Sequence, residues 1–149
     1  MKKIMYLFIL TLIWIGAERS VQAHCQVPCG IYDDHARVVS MLEDAATTEK
    51  ALLEMEKLAG RKDLQSQNQM VRWIVNKEKH AENIISTISS YFLTQRVKES
   101  QKDYSERLIK HHKVVTGAMK VKQSTDMKDV EALKKSIEAL RVYYPEHKH

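Results

Sequence analysis

From Asp33 onward, apolar residues recur every three or four positions in four blocks separated by short polar stretches. That period gathers them on one face of an α-helix. The first block reads Val38, Met41, Leu42, Ala45, Leu52, Met55, Leu58 and Ala59. Asp33 or Asp34 can cap its start and Gly60 its end, with Arg61-Lys62-Asp63 as the link. The second carries Met70, Trp73, Ile74, Ala81, Ile84, Ile88, Tyr91 and Phe92, with Lys77 and Glu78 lying among them. The third carries Tyr104, Leu108, His111, Val115 and Ala118 or Met119, and the break before it falls at Lys98-Glu99-Ser100-Gln101. In the fourth, Val130, Leu133, Ile137, Leu140 and Tyr144 follow a cap at Asp126, and Pro145 helps end it.

Four amphipathic segments joined by short links predict an all-α protein, an antiparallel up-down four-helix bundle over residues 33–149. Composition agrees: only four glycines and two prolines interrupt 149 residues that are rich in helix formers. The length suits one domain, and no repeat or low-complexity tract argues for another. The methionine and aromatic stripes read as core. His111-His112 and the terminal His147-Lys148-His149 read as surface or partly buried side chains rather than a metal site.

The first 23 residues change the picture, because they are patterned differently. Lys2 and Lys3 precede an apolar run from about Ile4 to Ile15, and a polar stretch closes on Val21-Gln22-Ala23 with small residues at the cleavage positions. This is the pattern of a secretory signal peptide. The run is roughly a dozen residues, where a membrane-spanning helix needs about 20. The expectation is an exported protein, periplasmic or extracellular, with residues 1–23 removed, no membrane segment left after cleavage, and a mature chain beginning at His24.

The full chain holds 24 basic and 19 acidic residues, a formal charge of +5. Removing Lys2, Lys3, Glu18 and Arg19 leaves 21 against 18, or +3. Basic and acidic residues are interleaved as on a solvated helix surface, which is no nucleic-acid signature, although a weak positive balance can help attract small anions.

Both cysteines of the chain lie in the stretch His24-Cys25-Gln26-Val27-Pro28-Cys29-Gly30-Ile31-Tyr32. Two cysteines in an exported protein invite a disulfide, but one closing so short a loop removes little unfolded-chain entropy. The position of His24 suggests a second chemistry. With the leader removed, its free amine and the backbone nitrogen of Cys25 can chelate a metal in a five-membered ring, and that nitrogen and the Cys25 thiolate can close another. Cys29 can bring a second thiolate to the fourth corner as the chain turns through Pro28, and the His24 imidazole can reach an axial position. Planar or tetragonal geometry favours nickel(II) or copper(II) over tetrahedral zinc.

The stretch resembles the H-C-x-x-P-C-G-x-Y nickel hook of nickel-containing superoxide dismutases, a long motif of fixed spacing tied to a mature amino terminus. The resemblance continues in Asn76-Lys77-Glu78-Lys79-His80-Ala81 and Ser90-Tyr91-Phe92. It implies a homohexamer of four-helix bundles, each carrying one nickel ion in a hook over residues 24–32. The implied ligands are the amine and imidazole of His24, the backbone nitrogen and thiolate of Cys25, and the thiolate of Cys29. Tyr32 would stand beside the metal as the catalytic-site residue that limits what approaches. The implied reaction is dismutation of superoxide to oxygen and hydrogen peroxide by nickel(III)/nickel(II) cycling.

The chain departs from the family pattern around the axial imidazole, which well-known members hold with a glutamate on the first helix and an arginine on the second. Here the glutamate's place falls near Val39 or Ser40, with Glu43 the nearest acid in sequence, and His80 occupies the arginine's place. Two other readings stand beside the enzyme: an exported copper- or zinc-binding bundle without catalytic activity, and a structural bundle with a Cys25–Cys29 disulfide.

Overall fold

Asp33 accepts hydrogen bonds on its carboxylate from the backbone N–H groups of His35 and Ala36, at 2.8 and 3.3 Å, and so starts the first helix. This computed structural model of the chain describes residues 33–146. Helix α1 runs Asp34–Leu58 and stops where Gly60 takes a positive φ of 77°, a conformation that glycine adopts without a side-chain clash. Asp63 caps α2, Leu64–Ser86, which continues without a break into a π-helical stretch, Thr87–Leu93. Helix α3, Tyr104–Gln123, follows a loop of turns, and Asp126 caps α4, Met127–Glu138, through the N–H of Lys128.

Each helix packs on its neighbour in sequence, and α4 closes the ring against α1, which makes an up-down-up-down bundle. There is no strand among the described residues. The core runs along the bundle axis from Leu52 and Val121 at one end to Phe92 and Tyr144 at the other. All five apolar positions expected of the fourth block, Val130, Leu133, Ile137, Leu140 and Tyr144, are buried, the last two in turns that follow α4.

Three stripes differ from expectation. On α3 the buried face is His111, Val114, Ala118 and Val121, so Val115 gives way to its neighbour and Met119 is exposed. His111 is fully buried, not a surface residue. On α2, Ile74 points outward at 39% exposure while Lys77 is buried at 4%. Its ammonium donates to the backbone oxygens of Val121, Lys122 and Ser124 at 2.9, 2.6 and 3.1 Å, capping the carbonyl end of α3. On α1, Thr48 and Ala51 join the core and Ala59 does not, because the helix has ended.

Candidate functional site

His24, Cys25, Cys29 and Tyr32 lie outside the described residues. The described chain begins at Asp33, immediately after Tyr32, so the structure fixes the end of the bundle from which the candidate hook extends.

That end is held by polar contacts from three elements. Asp34, in the first turn of α1, accepts from Arg96 Nε at 2.7 Å and from the Tyr91 hydroxyl at 2.5 Å. Arg96 Nη2 in turn donates to the Tyr91 hydroxyl at 2.9 Å, which closes a triangle of carboxylate, phenol and guanidinium. Next along α1, the Nδ1–H of His35 donates to the backbone oxygen of Tyr144 at 3.1 Å. The guanidinium groups of Arg37 and Arg96 lie over the Tyr91 ring, 5.5 and 5.2 Å from its centroid. The π-helical stretch makes this possible: its wider turn lets Phe92 enter the core while its neighbour Tyr91 reaches α1.

Burial, together with the hydrogen bond to the Asp34 carboxylate, raises the pKa of the Tyr91 phenol. Burial works against the Arg96 charge, but the bonds to Asp34 and Tyr91 outweigh it and its pKa is raised. Below them, His111 donates from Nδ1 to the Arg107 carbonyl at 2.7 Å, so its Nε2 accepts from the Tyr144 hydroxyl at 3.0 Å. Burial depresses the pKa of this imidazole and raises that of the Tyr144 phenol. Arg107 pairs with Asp103 at 2.9 Å and stacks on Tyr143, 4.1 Å from the ring centroid. All of these groups are engaged with one another, and none carries a thiol.

His80 lies on α2 facing α1, where its Nδ1–H meets Asp44 Oδ1 at 2.6 Å and Asn83 adds a bond of 3.3 Å to the same oxygen. The acid beside His80 is therefore Asp44. Glu43, the nearest acid by sequence counting, is exposed one position around the helix. Among the described residues no three His, Cys, Asp or Glu side chains gather as a metal site. No helix among them is long and apolar enough to cross a membrane.

Sequence reading marked Asp34 only as a possible cap and Tyr91 only as part of an apolar stripe and of the resemblance, and it missed Arg96. The signal for Arg96 lies in a contact across 62 positions, which no local pattern reports.

Residues 19–148 match the family model of nickel-containing superoxide dismutase, a span that includes sequence positions 24–32 and almost the whole bundle. No curated protein and no solved structure matches the chain.

Proposed function

The chain belongs to the family of nickel-containing superoxide dismutases, and from that premise we propose that His24, Cys25 and Cys29 hold its nickel and that Tyr32 stands beside it. The activity is superoxide dismutation, an oxidoreductase reaction: two superoxide anions and two protons give oxygen and hydrogen peroxide. The observation that carries the assignment is a family match running through the only two thiols of the chain and on through the bundle.

The donor set fits the metal. Two thiolates, an amine and a backbone nitrogen are strong electron donors, and in a plane they suit nickel(II). When bound, the nickel would supply one-electron exchange through its nickel(III)/nickel(II) couple. The chain's own residues do the rest. The thiolates of Cys25 and Cys29, the backbone nitrogen of Cys25, and the amine and imidazole of His24 would hold the metal. Tyr32 narrows the approach to small anions. The Asp33 cap and the Asp34–Arg96–Tyr91 triangle fix the base of the hook to the bundle. His80, at the arginine's place by sequence, pairs with Asp44 across α2 and α1.

On the same reading, residues 1–23 are a secretory signal removed on export to the periplasm or beyond, residues 24–32 the hook and 33–149 the bundle, and the subunits form a homohexamer. Removing the leader frees the amine of His24, so export and metal loading are linked.

The test is made on exported protein: amino-terminal sequencing, elemental analysis and a superoxide assay on one sample. A chain beginning at His24, about one nickel per subunit and activity together support the reading. A chain beginning elsewhere, or one holding copper or zinc and lacking activity, overturns it.

A further inference from the structure

Tyr144 and His111 form a buried phenol–imidazole pair that the proposed metal site does not use. Tyr144 follows α4 and is 5% exposed, while His111 on α3 is sealed from solvent. Nδ1 of the imidazole is committed to the Arg107 carbonyl, so the Nε2 lone pair faces the Tyr144 hydroxyl at 3.0 Å. A hydrogen bond of that length lets a proton pass directly. Burial keeps the imidazole neutral near pH 7, so Nε2 is ready to accept.

This geometry governs how hard the phenol is to oxidise. A phenol that loses an electron becomes a strong acid, and in a buried site the loss is prohibitive unless a neighbouring base takes the proton. Tyr144 has such a base, and its aromatic neighbours are worse placed. The cations of Arg107 and Lys110 lie over the Tyr143 ring, 4.1 and 4.8 Å from its centroid, and oppose removal of an electron. Arg37 and Arg96 do the same at Tyr91, whose acceptor is the Asp34 carboxylate, a weaker base than imidazole and already held by Arg96. Arg107 also opposes a positive charge on His111, and its ion pair with Asp103 offsets this. The Tyr144 ring packs on Phe92, 4.5 Å between centroids, and lies 6.3 Å from the half-buried Tyr143. Electrons can therefore leave and reach Tyr144 through Tyr143 while its own ring stays shielded from solvent.

We propose that Tyr144 is a redox-active tyrosine with His111 as its proton acceptor, a sink for oxidising equivalents inside the bundle. A small radical oxidant, of the class that hydrogen peroxide gives rise to, takes one electron from Tyr144, and the phenolic proton moves to His111 Nε2. The products are the reduced oxidant, a neutral tyrosyl radical and an imidazolium. A small one-electron reductant of the ascorbate class then returns an electron to the ring, the proton goes back to the hydroxyl oxygen, and the pair is restored. The site rests on the Tyr144–His111 geometry; only the origin of the oxidant, as a descendant of the enzyme's own peroxide, rests on the functional reading above.

The experiment oxidises the exported protein with a flash-generated ruthenium(III) polypyridyl complex, freezes it and reads electron paramagnetic resonance. Wild-type protein is compared with Tyr144→Phe, which removes only a hydroxyl, and with His111→Gln, each checked for native circular dichroism. The wild type should give a neutral tyrosyl radical coupled to one exchangeable proton, forming more slowly in D2O. Its signal should be lost in Tyr144→Phe and fall at least about tenfold in His111→Gln. Under repeated flashes with limiting ascorbate, Tyr144→Phe should accumulate oxidised tryptophan and methionine by mass spectrometry faster than the wild type. No tyrosyl radical in the wild type, or an equal yield in all three proteins, overturns the pair. So does a wild-type radical without the exchangeable-proton coupling, a readout that needs no variant. Equal damage in wild type and Tyr144→Phe overturns the role of sink. A nickel-free, inactive protein would sink the functional reading instead, because the flash oxidant needs no nickel and still reports on Tyr144.

Discussion

The Asp34 carboxylate meets Arg96 Nε at 2.7 Å, which ties the first turn of α1 to the end of the π-helical stretch that follows α2. The pair is only about three-quarters buried, so its Coulombic attraction is partly screened by water. Its value lies in geometry, because Tyr91 completes the triangle and leaves the carboxylate few ways to turn. Asp34→Asn should lower stability by about 1–2 kcal/mol. The shift should appear in the urea midpoint with an unchanged slope, and pairing it with Arg96→Gln should cost less than the sum of the two changes. Strict additivity would mean that the two side chains do not act together.

Lys77 offers a sharper stability test, since it is a buried ammonium with three carbonyl partners. It fastens α2 to the carbonyl end of α3, where a positive charge also complements the helix dipole. Lys77→Met keeps much of the volume but strips the acceptors at Val121, Lys122 and Ser124 of their donor. A loss of about 2–4 kcal/mol is expected, read by thermal or urea unfolding. A variant as stable as the parent would show that water replaces the ammonium without penalty.

His111 gives the bundle a pH dependence with a definite sign. Burial holds its pKa below the ordinary value of 6.5, so on acidification the unfolded chain takes up this proton before the folded one does. Its contribution to stability is therefore whole above pH 6.5 and is lost as the pH falls from there through the folded-state value, by at most about 1.4 kcal/mol per pH unit. His111→Gln keeps a polar partner for the Tyr144 hydroxyl and removes the titration. Unfolding free energies measured between about pH 5 and 7 should fall more steeply for the parent than for the variant. The carboxylates of Asp103, Glu106 and Asp129, with lowered pKa values, act in the same direction but further towards acid, and they are common to both proteins. Equal slopes would show that the imidazole titrates alike in both states.

Capping residues and strict periodicity were the parts of this fold open to sequence. Asp33, Asp63 and Asp126 each bind backbone N–H groups of the turn they precede, a local interaction that leaves a local signature. The α4 stripe has one apolar residue per position, so its face is unambiguous, whereas on α3 the adjacent Val114 and Val115 are equally apolar and only the neighbouring helices decide between them. The burial of Lys77 was not legible because its partners lie 44 to 47 positions away, and a lysine among apolar residues is by itself no sign of burial. The π-helical stretch adds a residue to a turn without changing which residue types are used, so it left no mark. The candidate metal ligands belong to the other extreme. Their chelate spacing lies within six consecutive residues, from His24 to Cys29, and sequence alone displays it.

That compactness makes the hook separable from the bundle, and two changes exploit it. Cys25→Ser or Cys29→Ser removes one thiolate from residues that precede every helix among the described residues, so activity should be abolished and nickel content should fall sharply while the helical circular dichroism stays intact. One extra residue left ahead of His24 keeps both thiolates and the imidazole but converts the amine into an amide, a far poorer donor. Most activity should disappear there too. Activity surviving either cysteine change would mean that the thiolates are not the donors. Full activity with the extra residue would mean that the amine is not, and the link between leader removal and metal loading would fall with it.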